Sequence, residues 1–326
     1  MLLAAAELVL AHYSPCYFQR PQERLPGQEW KSLIHGASNT PGLEYELRPN
    51  VDSTDRGVSI RTNSLGMRGP ELAVPRDPRS LRIGVLGDSV AFGIGLPYES
   101  TWSRVCVDEL GRALPARPFE LLNCAVSGYS SRDEACVLES KLLPLDPDLV
   151  IVGYFLNDPE PLPLQPLQNY FHEPAWWQHF DLLRRIAQAR RTREVAHLGG
   201  GDLWRFYHAP QGEPWKGTRA ALERMAGLAR ARGVHVMLIV TPVFAPLEHW
   251  SEYPYESIHA QVTGLARELG WHAFDLFPAL RDSGLEPPEL RLDESHPNVA
   301  GSEIIGRAVA SELRAHPQLL EPAHPR

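Results

Sequence analysis

From about residue 80 onward the chain alternates between two hydrophobic rhythms. Five stretches are nearly continuous apolar runs: "LRIGVLG" (81–87), "FELLNCAV" (119–126), "DLVIVGYFL" (148–156), "VHVMLIVTP" (234–242) and "HAFDLF" (272–277). Runs that do not alternate with polar residues mark strands covered on both faces. Residues 99–114, 131–143, 216–232 and 254–269 instead carry apolar positions at helical spacing, and Ile305, Val309 and Leu313 set one stripe on a final helix. This alternation predicts an α/β sandwich built on a mainly parallel five-stranded sheet.

Two regions fall outside the rhythm. Residues 1–79 are rich in turn formers, end in "VSIRTNSLGMRGPE", and read as an extension packed on a main domain over 80–315, with 316–326 as a tail. Asn63 and Gly66 suit turns, so this stretch reads as a structural hairpin. Residues 159–215 begin with the proline- and aromatic-rich "PEPLPLQPLQNYFHEPAWWQHF". They follow the carboxyl end of a strand, where open α/β sheets bind ligands, so a lid is one reading of the insertion. Its Tyr170, Phe171, Trp176, Trp177 and Phe180 could line an acyl or lipid pocket, but packing onto the body is the simpler expectation. Tyr253, Tyr255 and Trp271 are ordinary packing residues.

Charge and cysteine usage narrow the function classes. The net charge of −8 argues against nucleic acid as a partner, because phosphate binding favours a basic surface. The run "RRIAQARRTR" (184–193) is explained by a solvated helix face. Cys16, Cys106, Cys124 and Cys136 show neither CxxC nor zinc-ligand spacing and read as buried free thiols. The start, "MLLAAAELVLAHYSP", is interrupted by Glu7, lacks a basic n-region and is too short to span a bilayer. Membrane association is therefore expected only if this segment is the remnant of an anchor, which would place the protein at a bacterial envelope.

The chemistry concentrates after the first long strand, in "SLRIGVLGDSVAFGIG" (80–95). A Walker loop requires Gly-Lys-Ser/Thr, and no lysine sits near Ser89. Gly84, Gly87, Gly93 and Gly95 do not make a dinucleotide fingerprint either. A serine lifted clear of the sheet by a tight strand-to-helix turn fits better, although Ala91 stands where the GxSxG elbow has its second glycine. Such a serine needs a base, and the base needs a carboxylate. "LRLDESHPNVAGSEIIG" supplies Asp293 and His296 in one loop, though a DxxH alone is weak in a chain with 13 histidines. Gly128 in "NCAVSGYS" could offer a backbone N–H and Asn157 in "VIVGYFLND" a side-chain amide to a developing oxyanion; as single residues they read equally as a turn and a cap.

Taken together and in this order, Gly87-Asp88-Ser89, Gly128, Asn157-Asp158 and Asp293-Glu294-Ser295-His296 resemble the blocks of the SGNH hydrolase (GDSL esterase/lipase) superfamily over residues 80 to about 315. "RTNSLGMRGPE" is also similar to the stretch ahead of the GDS block in envelope-associated bacterial members, and no catalytic role follows from it. The resemblance implies a flavodoxin-like three-layer α/β/α sandwich. It implies Ser89 as nucleophile, His296 as general base and acid, Asp293 as its orienting residue, and Gly128 and Asn157 with the Ser89 N–H as the oxyanion hole. It implies a small-molecule, carbohydrate or lipid ester as substrate and no metal or organic cofactor. An O-acyltransferase using the same residues and a catalytically silent binding module are the alternatives.

Overall fold

Every residue of Leu81–Gly87 is buried, as an apolar run without alternation demands. This segment is one of five parallel strands in the computed structural model, which describes residues 33–55, 57–73, 75–159, 171 and 175–322. The amino-terminal apolar run with Cys16, and Tyr170 of the insertion, lie outside the described residues.

The extension contributes two antiparallel hairpins, β1 (His35–Ala37) with β2 (Tyr45–Leu47) and β3 (Asp52–Asp55) with β4 (Val58–Arg61). The main sheet consists of β5 (Leu81–Gly87), β6 (Phe119–Asn123), β7 (Leu149–Tyr154), β8 (His235–Val240) and β9 (His272–Asp275). Its order is β6-β5-β7-β8-β9, every pairing is parallel, and Gly87 lies opposite Gly153 in register.

The helices are α1 (Ser89–Phe92), α2 (Trp102–Ala113), α3 (Ser131–Val137), α4 (Asp181–Gly199), α5 (Leu203–Tyr207), α6 (Glu213–Ala231), α7 (Glu256–Glu268), α8 (Phe277–Arg281), α9 (Pro287–Leu290) and α10 (Val299–Ala315). Helices α2 and α10 pack against each other, α3 packs on α6, and α7 covers β8 and β9. Right-handed crossovers put α2 on the opposite face from α3 and α6, because β5 leads to β6 in one direction and β6 leads to β7 in the other. The result is the α/β sandwich expected from the pattern, in the three-layer form the resemblance implies.

Element ends differ from the pattern for local reasons. Helix α2 starts at Trp102 because the Thr101 hydroxyl accepts from the Arg104 N–H. The second helical stretch, 131–143, changes to a π-turn over Leu138–Leu142. The basic run 184–193 lies within α4; Ile186, Arg190 and Arg193 are exposed, but Arg184 is buried and ion-paired with the buried Asp181, so the run is not all a solvated face. Cys106 and Cys124 are buried free thiols, and Cys136 is half-buried. The hairpin residues Ile34, Tyr45, Leu47, Ile60 and Met67 share one apolar core with the strands of the main sheet. Among the described residues no helix is long and apolar enough to cross a membrane.

Candidate active site

The strand order reverses around β5, whose neighbours β6 and β7 follow it on opposite sides. A crevice at the carboxyl ends of the strands is expected at such a switch point. The GDS block, Gly128 and Asn157 follow β5, β6 and β7 respectively, so all three converge there although 68 residues separate the first from the last.

Ser89 opens α1 immediately after β5. Asp88 caps this short helix, its side chain accepting from the Val90 N–H at 2.8 Å. Gly87 cannot carry a side chain: it has φ +148°, and a Cβ would lie 2.5 Å from the Ala91 Cβ and 2.9 Å from the Gly153 carbonyl oxygen. That close approach of α1 to β7 holds the serine over the sheet.

The loop between α9 and α10 brings the histidine. Leu292 N–H donates to the His296 carbonyl at 2.8 Å, Ala245 N–H donates to the Glu294 carbonyl at 3.2 Å, and Asn298 caps α10 through the Gly301 N–H. His296 Nε2 lies 2.7 Å from Ser89 Oγ, and His296 Nδ1 lies 2.7 Å from Asp293 Oδ1. The same Asp293 oxygen accepts from the backbone N–H groups of Ser295 and His296, each at 3.0 Å. Burial alone would raise the Asp293 carboxyl, but the hydrogen bond and charge of His296 and the two N–H donors outweigh it and hold the group well below the usual carboxylate range. An ionised Asp293 favours the His296 tautomer with its proton on Nδ1, which leaves Nε2 to accept from Ser89.

Gly128 sits in a turn with φ +84°, closed by the Tyr129 N–H donating to the Val126 carbonyl. Asn157 is half-buried and lies beside Asp88 at the carboxyl end of β7.

Asp–His pairing alone does not distinguish this histidine. His259 Nδ1 also lies 2.7 Å from a carboxylate, that of Asp275, but its Nε2 meets the Tyr253 hydroxyl at 2.6 Å and its side chain is fully buried. That ring is held in a packed network and can pass a proton to nothing outside it. His208 is likewise locked between the Tyr154 hydroxyl and the Trp204 carbonyl, and burial lowers it to about 4. Only His296 among these three points its free nitrogen at a serine.

The sequence reading missed what the extension does here. Arg68 is buried at 2% exposure and donates to the carbonyls of Phe92 (2.7 Å) and Gly93 (2.6 Å), which end α1, and of Leu96 (2.5 Å) in the turn after it. Its guanidinium also lies 4.7 Å from the Phe92 ring centroid. Burial lowers the Arg68 guanidinium to about 10, so it remains a cation at neutral pH. Tyr45 of β2 donates its hydroxyl to the Ser127 carbonyl at 2.9 Å, and Tyr129 donates back to the Tyr45 carbonyl at 2.7 Å, bracketing Gly128. The turn chemistry of "RTNSLGMRG" is present, with Asn63 Oδ1 accepting from Leu65 and Met67 N–H, but the turn also delivers an arginine to the nucleophile's helix. A buried arginine leaves no local pattern, so nothing in the segment itself announced this.

The insertion's aromatics divide. Phe171 stacks on Tyr45 at 5.3 Å, Trp176 is 72% and Phe180 47% exposed, and these last two meet edge-on at 6.3 Å. Tyr253, Tyr255 and Trp271 are buried, as packing residues should be.

A serine, a histidine and an aspartate linked in series beside strand-end donors make nucleophilic acyl chemistry available to this crevice. The family comparison bears on the same span: residues 85–304 match the model of the GDSL-like lipase/acylhydrolase family. The chain belongs to that family. It is therefore a hydrolase acting on ester bonds, with small-molecule esters as its substrates. Similar solved structures include the acetylxylan esterase Axe2 of Geobacillus stearothermophilus, at 18% identity over 72% of this chain and 94% of that one, with a TM-score of 0.47. TesA is 19% identical over 72% and 98% of the two chains, with a TM-score of 0.44. A two-domain esterase (CEX) active on acetylated mannans is 17% identical over 76% and 52%, with a TM-score of 0.43. No curated protein matches the sequence.

Proposed function

We propose that this GDSL-family chain is a serine esterase that cleaves a carboxylic ester through an acyl-Ser89 intermediate. The observation that carries the reading is the series Ser89 Oγ to His296 Nε2 and His296 Nδ1 to Asp293 Oδ1, with both distances 2.7 Å.

His296 Nε2 takes the hydroxyl proton as Ser89 Oγ bonds to the ester carbonyl carbon. The carbonyl π electrons move to oxygen, and that oxyanion accepts hydrogen bonds from the Ser89 and Gly128 N–H groups and the Asn157 amide. Donors already fixed by α1 and by the Tyr45–Tyr129 bracket need little reorganisation when charge develops, and each is worth about 2.7–4 kcal/mol in such sites. Collapse breaks the carbon–oxygen bond to the leaving alcohol, which receives the proton from His296. Water then repeats the sequence on the acyl-enzyme, releasing the acid and restoring Ser89. Asp293 stays ionised throughout and balances the imidazolium.

The test is hydrolysis of p-nitrophenyl esters from acetyl upward, with Ser89→Ala alongside the wild type. Loss of turnover by about 10⁴–10⁶-fold in Ser89→Ala is expected, and the preferred chain length identifies the acyl group. Turnover that persists in Ser89→Ala would refute the mechanism. An acyl group delivered to an added sugar alcohol faster than to water would make the enzyme an acyltransferase instead.

A further inference from the structure

The ester chemistry occupies the carboxyl ends of the strands. A second cluster of ligating side chains lies at the opposite end of the sheet. His272 opens the edge strand β9, while Glu312 stands in the last turn of α10 and His316 is that helix's C-cap. An i,i+4 spacing puts Glu312 and His316 on one face of the helix, turned toward His272. His272 Nε2 lies 2.8 Å from Glu312 Oε1, and His316 Nδ1 lies 3.3 Å from the same oxygen. The two imidazole rings are 4.2 Å apart between centroids, tilted by 47°. One donor atom from each of the three falls within 4.8 Å of the others.

We infer that His272, Glu312 and His316 bind a borderline divalent transition ion such as Zn²⁺, at a site separate from the ester chemistry. Two imidazole nitrogens and a carboxylate oxygen are a donor set this ion class favours. Four-coordinate zinc with arms of about 2.0–2.1 Å has donor–donor edges of roughly 3.3 Å. The separations of 2.8 and 3.3 Å from the shared oxygen are already near that edge, and the third, between the two imidazole nitrogens, is within 4.8 Å, so capture draws the two rings together around the ion. The three side chains are 20%, 23% and 36% exposed, which leaves an entry path and a coordination position for water. The carboxyl end of α10 adds its partial negative charge to that of Glu312, so a cation is favoured over an anion.

The rival arrangement is a purely hydrogen-bonded cluster, with His272 donating to Glu312 and His316 Nδ1 donating to the Glu312 backbone carbonyl at 3.0 Å. Coordination replaces these bonds. Each neutral imidazole shifts its proton to the other ring nitrogen, and the ion gives up hydration waters. Because His272 and His316 belong to different elements, a bound ion would tie the edge strand to the last helix, and its effect falls on stability rather than on turnover.

The experiment uses the full chain, tag-free and stripped with chelator, titrated with ZnCl₂ by calorimetry and melted with and without Zn²⁺. The expected result is one ion per chain, a Tm that rises with Zn²⁺ concentration, and affinity reduced at least ~10-fold by either His272→Gln or His316→Gln. Ester hydrolysis by each variant should equal that of the wild type, which also reports that the variant is folded. Absence of stoichiometric Zn²⁺ binding would overturn the inference, as would binding that survives both substitutions. A hydrogen-bonded cluster without metal would show itself as variants of lowered Tm and no response to Zn²⁺ in any of the chains.

Discussion

Replacing Arg68 by methionine keeps much of the aliphatic stem and removes the three donors that close the nucleophile's helix. The carbonyls of Phe92, Gly93 and Leu96 lose their charged partner, while that of Gly93 still accepts from the Leu96 N–H at 3.2 Å. Hydrogen bonds to charged groups contribute about 1.5–3 kcal/mol each, so three of them suggest a loss of roughly 4–9 kcal/mol. Against this stands the cost of burying the guanidinium, which its fall from the ordinary arginine value to about 10 marks. At 1.36 kcal/mol for each pKa step that cost is roughly 3 kcal/mol, and methionine does not incur it. The net expectation is a destabilisation of ~1–6 kcal/mol, which spans the range for breaking a buried charged network. Urea unfolding of Arg68→Met beside the wild type measures it. Steady-state kinetics on p-nitrophenyl acetate, under conditions where both proteins are folded, should show kcat falling more than KM rises, because the Ser89 hydroxyl and N–H ride on α1. Arg68→Lys keeps the charge but not the fork that reaches three oxygens, and should fall between the two. A methionine variant with wild-type kcat and stability within ~0.5 kcal/mol would refute the view that Arg68 holds the nucleophile's helix.

Other outcomes follow from the same geometry. Asp293→Asn should preserve folding and lower kcat on the order of 10³–10⁴-fold, because an amide can hold the His296 tautomer that leaves no acceptor for Ser89; a loss under tenfold would remove Asp293 from the mechanism. The carboxyl of Glu134 is fully buried beneath the site, and its oxygens make no hydrogen bond; burial, then the charges of Asp88 and Asp133, hold it well above its usual value. A raised carboxylic acid weakens the folded state progressively as pH rises above the unfolded value of 4.5. Glutamine has no such titration, so the stability of Glu134→Gln relative to wild type should improve from about pH 5 to pH 8, measured by urea unfolding across that range. A difference that stays flat with pH would show that Glu134 ionises freely in the native protein.

The layers of this protein follow from hydrophobic rhythm alone. Strands such as Leu81–Gly87 and Leu149–Tyr154 are apolar throughout because both faces are covered, and that is a local property of the chain. The order of the four chemical blocks was also legible, through the family resemblance: the first three follow β5, β6 and β7, whose ends the crossover rules bring together, and the fourth precedes the last helix. Which histidine carries the proton was not decided locally. His296 and His259 both sit 2.7 Å from an aspartate, and only the tertiary arrangement gives one a serine and the other a buried tyrosine hydroxyl. The same holds for Arg68, whose three acceptors lie 24 to 28 residues along the chain, and for Tyr45, which reaches Ser127 across 82. Glu312 and His316 share a helical spacing that any reader of the sequence can see, but His272 joins them from 40 residues away. Periodicity reports which face of an element is buried, because burial repeats with the backbone. Contacts between polar side chains from different elements repeat with nothing, so only the folded arrangement of the layers determines them.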